Sequence, residues 1–529
     1  MINEEFDLKI KEGFFTTLIN CNSKVLAKIS ISNECIVLIP NQEEEENFSK
    51  SIGKYIGKSL QFDGSHATIN TKTLFAARLT KKNLNTESIL LENAPSFLLD
   101  ESTVIQDEES LVYFTLFGLD FISKSGSGQL CDKKHLPKLR AFTFEVSNKL
   151  ATSLIDYFNI YFQTNQDPGK TTESYVKKKY LAITNPVGGT KDAHKKFHSI
   201  TAPMLKLAGI EVDYFETTYL YHGEKIVKTS ENIQQYHAII TNGGDGMIYE
   251  GLNGFLGRED YQQFKSIPLA ILPGGTGNGL ATSLGIVSFE AASFTLIRNT
   301  VNRFDILAVY SSPTLTTPRY GILDFACGFL NDIDDTTDKM RFMGPLRVDL
   351  SAAYLFARNK KYPFKVYYKP VNKTASEQVD NVSETNSPPE NLLAKDGGEL
   401  GEGWVEADLK VFFLAVTNVP YVSHNLKIAE RSKYNSNDMS LVYDKDPKLG
   451  TVKISGAFLK EDENPGKGHV TSLLTEKNIT NFIITSSDPK KPDSLLPFCR
   501  IDGEKFVRSK AFQVTVLPSH INFLIPMRL

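Results

Sequence analysis

The alternation of apolar and polar positions changes texture twice along the chain. Up to about residue 165, short apolar runs between polar turns predict strands at Val25 to Ile31, Cys35 to Ile39, Leu111 to Ile122 and Ala141 to Val146. After Ser147 the period lengthens: Leu150, Leu154, Phe158 and Tyr161 fall on one helical face, with Ser147 placed to cap the first turn. From Tyr180 strands alternate with helices, the strands falling at Tyr180 to Thr184, Val212 to Thr217, His237 to Thr241 and Pro268 to Leu272. The first intervening helix carries Ala193, Phe197, Ile200, Met204 and Leu207 at helical spacing, a stripe that covers one sheet face. Such alternation predicts a parallel sheet with crossover helices. After Asn302 the runs are β-rich throughout: Arg303 to Tyr310, Tyr320 to Cys327, Phe364 to Tyr368, Leu409 to Thr417, Phe482 to Thr485, Ala511 to Val516 and Asn522 to Ile525. A mainly antiparallel arrangement is expected there.

These textures divide the chain. Residues 1–165 form a small β-rich module closed by a helix, a PH-like pattern read here as a scaffold packed on its neighbour rather than a lipid reader. Residues 166–176 have linker composition. Within them Gly169-Lys170-Thr171 is no P-loop, because Thr164 stands where that loop needs its first glycine and the flank is polar. Residues 177–302 are expected to form an α/β domain with a doubly wound, mostly parallel sheet, and residues 303–529 a mainly antiparallel β domain. The polar stretch at about 371–403, rich in Ser, Asn, Glu, Gly and Pro, is expected to be a disordered insertion.

Composition adds mostly exclusions. With 529 residues there is ample chain for several hydrophobic cores. The balance of 59 Lys+Arg against 62 Asp+Glu leaves a net charge of −3, so no bulk attraction to nucleic acid or acidic membranes is expected. The five cysteines are scattered and form no C-x-x-C pair, which argues against a disulfide framework or structural zinc and fits a reducing cytoplasm. No stretch reaches the ~18 apolar residues of a transmembrane helix, so any membrane contact is expected to be peripheral.

The chemistry gathers at the strand ends. The first predicted strand of the parallel sheet runs into Asn185-Pro186-Val187-Gly188-Gly189, the second into Thr217-Thr218, the third into Gly243-Gly244-Asp245-Gly246 and the fourth into Pro273-Gly274-Gly275-Thr276-Gly277-Asn278-Gly279. Open α/β sheets bind ligands at the carboxyl ends of their strands, where these segments converge. Glycines bracketing a single carboxylate at a helix start let backbone approach a bulky anion, and phosphate is the natural ligand.

With these motifs in order, the chain closely resembles the diacylglycerol kinase-like lipid kinases, and among them the sphingosine (long-chain base) kinases, over roughly residues 178–526. The resemblance rests on Asn185-Pro186 with Gly188-Gly189, on Gly243 to Gly246 with Glu250 and Asn253, and on Pro273 to Asn278. It continues in Phe329-Leu330-Asn331-Asp332-Ile333-Asp334 with its downstream arginines and in Asp502-Gly503-Glu504. It implies that Asp245 is the general base for a lipid hydroxyl attacking the γ-phosphorus of ATP. It implies nucleotide contacts from Asn185, Gly188, Gly189, Thr217, Gly243, Gly244, Gly246, Gly275, Thr276, Gly277, Asn278, Arg341, Arg347, Gly503 and Glu504. Asp334, assisted by Asp332 and with Glu250 nearby, matches the acids that recognise a sphingoid-base head group. A helix cap for Asp245, and a solvated acidic loop for Asp332, Asp334, Asp335 and Asp338, are the structural alternatives.

Two departures stand out. Val187 replaces an arginine common in the family, with Lys191 as a candidate substitute, and Ile454 to Leu459 followed by Gly466 to His469 only loosely matches the helix that gates the family's lipid pocket. The resemblance thus implies an ATP- and Mg2+-dependent kinase acting on the primary hydroxyl of a sphingoid base, cytoplasmic and in peripheral contact with membranes. Ceramide or diacylglycerol kinase, and a catalytically weak membrane-recruitment protein, are the alternatives. NAD kinase shares Gly-Gly-Asp-Gly but not the Pro273 to Asn278 motif.

Overall fold

The computed structural model describes residues 176–189, 191–312, 315–329, 360–371, 400–446, 466–486 and 498–526, the strands and helix between residues 14 and 164, and scattered positions in 330–358, 453–461 and 495–496. The linker up to residue 175, nearly all of the polar insertion, and Asp334, Arg341 and Arg347 lie outside the described residues, as does most of the segment compared with a gating helix.

The N-terminal module is an eight-stranded antiparallel sheet. Its strands are β1 (Phe14–Asn20), β2 (Ser23–Ile31), β3 (Cys35–Pro40), β4 (Leu60–Phe62), β5 (Ala67–Asn70), β6 (Leu74–Thr80), β7 (Leu111–Asp120) and β8 (Lys138–Ser147), in the spatial order β4-β5-β3-β2-β1-β8-β7-β6. Helix α1 (Asn148–Thr164) starts directly after Ser147 and buries Leu154, Phe158 and Tyr161, the stripe its period predicts. Phe158 stacks on Phe114 of β7 at 6.1 Å, fixing the helix to the sheet.

Among the described residues beyond α1, all strands but one short hairpin join a single fifteen-stranded sheet. Its parallel part comprises β9 (Lys179–Thr184), β10 (Glu211–Glu216), β11 (Ala238–Gly243) and β12 (Leu269–Pro273), ordered β10-β9-β11-β12. This doubly wound order reverses between β9 and β11, which opens a crevice at their carboxyl ends. All six residues of β11 are buried, as a strand covered on both faces requires. Between β9 and β10 runs helix α2, from Ala193–Lys196 through a π turn at Phe197–Thr201 into Ala202–Leu207. Pro203, which has no N–H to donate to the preceding turn, accounts for the widening. Helices α3 (His222–Thr229) and α4 (Asp245–Leu256) follow β10 and β11, and α5 (Gly279–Ser283) and α6 (Phe289–Arg298) follow β12.

The antiparallel part comprises β13 (Val301–Ser312), β14 (Leu315–Gly321), β15 (Asp324–Gly328), β16 (Tyr362–Pro370), β17 (Val405–Val411), β18 (Phe413–Thr417), β19 (Tyr421–Ser423), β20 (Leu426–Lys427), β21 (Met439–Asp444), β22 (Leu474–Ser486), β23 (Arg500–Ile501), β24 (Glu504–Lys505) and β25 (Ala511–Leu524). Strands β19 and β20 form a separate hairpin. The long last strand welds the two parts: Phe523 pairs in parallel with Leu269 of β12, while Ala511 to Val514 pair antiparallel with β22. The N-terminal module is welded on as well. Ala76 and Phe117 share one buried core with Tyr180 and Ile240, and the Arg298 guanidinium at the end of α6 lies 5.2 Å from the Tyr161 ring of α1.

Candidate active site

Three loops meet at the carboxyl ends of β9, β11 and β12. After β9, the Asn185 side chain accepts hydrogen bonds from the backbone N–H groups of Val187 and Gly188, at 3.1 and 2.9 Å, and folds the chain into a tight turn. Gly189 then takes φ +58°, and a Cβ there would lie 2.5 Å from the Gly274 carbonyl oxygen. A Cβ on Gly275 would overlap the Cα of Gly244. Two bare backbones can pack this closely only without side chains, so these glycines are required by the contact between loops. Val187 sits at the tip of the first loop, 75% exposed, and Lys191 follows in the same turn with φ 60°.

Asn278 holds the third loop. In a left-handed conformation, its Oδ1 accepts from Gly275 N at 2.9 Å and its Nδ2 donates to the Gly275 carbonyl at 2.7 Å. Thr217, at the end of β10, is buried and donates its backbone N–H to Thr184 O at 2.8 Å, so the second strand end lies beside the first.

Asp245 opens α4, and each carboxylate oxygen accepts one backbone N–H from the start of α5: Gly279 at 2.9 Å and Leu280 at 3.1 Å. The carboxylate therefore caps a helix other than its own and stands between the Gly243 and Gly275 loops. Burial raises its pKa, and the amide bonds from Gly279 and Leu280 and one from its own backbone oppose the rise. The carboxylate retains acceptor capacity beyond these bonds.

The far C-terminal segment returns to this point. The space a Cβ on Gly246 would need is filled by the Glu504 carboxylate. Behind it, buried Asp502 accepts from the backbone N–H groups of Ile322, Leu323 and Asp324 at 2.8, 2.8 and 3.1 Å, tying the Asp502–Glu504 turn to the approach to β15. Burial pushes the Asp502 carboxyl up to about 7 despite these three donors. A second contribution from the antiparallel part is the β19–β20 hairpin. His424 donates its backbone N–H to Gly277 O, and its Nδ1 lies 3.0 Å from Thr276 O. A carbonyl only accepts, so Nδ1 carries the proton. Sequence pattern did not point to His424 or assign a role to Asp502, because both act through contacts across the sheet.

Two expected substrate acids are occupied. Glu250 is buried, and accepts from Gly223 N at 2.8 Å and Tyr221 N at 3.3 Å. Glu250 thereby holds the turn that starts α3, with one backbone donor on each oxygen. Asp332 accepts from the Tyr362 hydroxyl and lies 3.3 Å from Lys360 Nζ. Among the described residues no three acidic, histidine or cysteine side chains gather as a metal site.

Residues 179–309 match the diacylglycerol kinase catalytic domain. Over a longer stretch the chain is similar to sphingosine kinase 1 of Arabidopsis thaliana, 29% identical over 52% of this chain and 59% of that protein. It is also similar to sphingoid long chain base kinase 5 of Saccharomyces cerevisiae, 27% identical over 48% of this chain and 40% of that protein. Sphingosine kinase 1 of Mus musculus is 25% identical over 50% of this chain and 71% of its own. The chain thus spans roughly 40 to 60% of the length of the first three curated relatives it matches. Among solved structures, a diacylglycerol kinase from Bacillus anthracis str. Sterne covers 67% of this chain and 98% of its own at 16% identity and a TM-score of 0.42, too loose a likeness to bear on function.

Proposed function

We propose that the protein is an ATP-dependent lipid kinase that transfers the γ-phosphate to the primary hydroxyl of a sphingoid base, giving the 1-phosphate. The observation that carries this reading is Asp245, a carboxylate with spare acceptor capacity seated between two glycine loops whose backbones touch. The catalytic-domain match and the sphingosine-kinase names of the relatives support the choice of substrates.

In this reading backbone N–H groups of Gly243 to Gly246 and Gly275 to Asn278 cradle the phosphates. Asn185, Gly188 and Gly189 shape the adjoining turn, and Thr217 with Gly503 and Glu504 borders the nucleoside. The lipid hydroxyl attacks the γ-phosphorus in line, its proton passes to an Asp245 oxygen, and the bond to the leaving ADP oxygen breaks. Arg341 and Arg347 neutralise the charge moving onto ADP. Asp334 pairs with the protonated amine of the base, Asp332 being held by Tyr362 and Lys360. Mg2+ bound with ATP would offset the charge of its phosphates, and the Glu504 carboxylate beside the loops is an oxygen donor that would suit that hard cation. No described helix is long and apolar enough to cross a membrane, and the lipid would be taken up through peripheral contact. No nucleic acid is involved.

The test is transfer of radiolabel from γ-labelled ATP to sphingosine, ceramide and diacylglycerol presented in the same detergent micelles. Sphingosine is expected to be the best acceptor. An inert sphingosine beside a labelled diacylglycerol or ceramide would replace the head-group assignment with that lipid, and no labelled lipid would refute the kinase reading.

A further inference from the structure

Helix α4 carries Asp245 at its first residue, and the antiparallel part grips that helix further along. Asp245, Tyr249 and Asn253 follow one another at intervals of four and so lie along one face of α4. The first meets the start of α5, where Gly279 N and Leu280 N donate to its carboxylate. The other two meet β14. Among the described residues this strand has β13 as its one strand neighbour, which leaves its opposite edge for another partner.

Asn253 fills that edge. Its Oδ1 accepts from Tyr320 N at 3.0 Å and its Nδ2 donates to Tyr320 O at 2.8 Å, the exchange of bonds that a neighbouring strand would make. The second Nδ2 proton goes to Tyr249 O, one turn back on the same helix, at 2.9 Å. Asn253 is buried, so losing either bond to Tyr320 would strand a polar group away from water. One turn nearer Asp245, Tyr249 belongs to the buried core of the antiparallel part, together with Val309, Phe325 and Phe512. Its hydroxyl accepts from Arg319 Nε at 3.0 Å, and the Arg319 guanidinium is itself fixed by two bonds to Glu224, at 2.8 and 2.6 Å.

The kind of contact matters as much as its strength. Apolar packing resists separation but defines the slide and rotation of a helix only loosely, whereas a fully satisfied buried amide specifies one arrangement. Asn253 matches a single peptide group in both directions, which fixes α4 along its axis and around it. A helix is stiff over eight residues, roughly 12 Å at the usual rise, so a displacement at Asn253 is carried to Asp245.

We infer that Asn253, with Tyr249 and Arg319 beside it, is a positioning residue for phosphoryl transfer: it sets α4 against β14 and thereby places the Asp245 carboxylate. The inference rests on the proposed role of Asp245 as the base. The antiparallel part thus governs where the base stands without touching the reacting atoms.

The experiment measures sphingosine phosphorylation by the full chain as wild type, Asn253→Asp and Tyr249→Phe, and by the same two substitutions combined with Asp245→Asn. Asn253→Asp keeps the size of the side chain and the acceptor for Tyr320 N, but once ionised it has no proton for either carbonyl. Its kcat should fall about 100-fold, the cost of a displacement of ~1 Å in a positioned site, with KM for ATP nearly unchanged. Tyr249→Phe keeps the ring and loses the Arg319 bond, and its kcat should fall about fivefold, the size of one hydrogen bond. With Asp245→Asn there is no base left to place, so neither substitution should lower turnover further. Turnover is taken per folded molecule, counted by circular dichroism, so a loss of stability alone would leave it unmoved.

Losses that multiply in full on top of Asp245→Asn would overturn the inference, as would a folded Asn253→Asp chain whose kcat stays close to wild type. Should Asn253→Asp fail to fold, Tyr249→Phe decides, and an unchanged kcat there would overturn the clamp while leaving the kinase reading standing. A wild-type chain that labels no lipid would sink both.

Discussion

The parallel and antiparallel parts of the large sheet supply the candidate site with different materials. From β9, β11 and β12 come backbones: Gly189, Gly244, Gly274 and Gly275 pack so closely that side chains are excluded. From beyond β13 come side chains: Asp502 and Glu504 from one hairpin, His424 from another and Arg319 from β14. Backbone donors hold a fixed geometry with no rotamer to lose, which suits a phosphate cradle. Side chains can be delivered from anywhere the sheet brings close, which suits orientation and protonation control. Asp245 stands where the two materials meet.

Perturbing the backbone half should have the larger effect. Gly275→Ala drives a Cβ into Gly244 Cα, and neither loop can retreat without breaking the Asn278 and Gly189 contacts. ATP-dependent labelling should fall about 100-fold or more while far-ultraviolet circular dichroism stays native, because displacements of ~1 Å are costly in a positioned site. A variant within threefold of wild type would show that the close loop contact is dispensable.

On the side-chain half, Asp502 should control stability rather than turnover. Its folded pKa of about 7 lies above the ~3.9 of an unfolded aspartate, so the folded state holds this proton more tightly. Its contribution to stability is thus full below about pH 4 and is lost as pH rises through about 7. Asp305, pushed up to about 6 by burial, acts in the same direction over a narrower window. Asp502→Asn should therefore flatten, without abolishing, the decline in urea midpoint between pH 4 and pH 7. An unaltered slope would contradict the assignment.

The smallest expected effect is at the hairpin. His424→Ala releases the side-chain bond to Thr276 O and leaves the backbone bond to Gly277 in place. Loss of about 1 kcal/mol, a typical single hydrogen bond, should raise KM for ATP roughly fivefold with kcat nearly constant. A kcat effect without a KM effect would place His424 in the chemistry instead of the cradle.

Legibility in the sequence followed the same division. Strands β9 to β12 and their glycine loops were readable because both the strand period and the motif are local. The joining of the two parts into one sheet was not, since it depends on Leu269 pairing with Phe523. Strand β25 itself read as two runs, Ala511 to Val516 and Asn522 to Ile525, because Pro518, Ser519 and His520 interrupt the alternation. In the structure the register with β13 shifts there, between Phe304 and Ile306, and buried Asp305 accepts from Ser519 N at 2.6 Å and Asn437 N at 2.7 Å. A bulge filled by an inward acid restores one continuous strand, a solution invisible to periodicity. The hydrogen bonds of Glu250 were hidden for a related reason: spacing on α4 places a carboxylate near the site, but only the folded turn at Tyr221 to Gly223 reveals what it holds.

The central claim is that Asp245 is the base between ATP and a lipid hydroxyl, and the most direct measurement is the pH dependence of sphingosine phosphorylation by wild type and Asp245→Asn. Wild type should lose activity toward acid with an apparent pKa above the ordinary carboxylate range, in the direction burial shifts this group. Asp245→Asn should retain ATP binding and a native fold while turnover falls about 1,000-fold or more, within the range attributed to a positioned base. Near-normal turnover by Asp245→Asn, with the same acidic limb, would contradict the account.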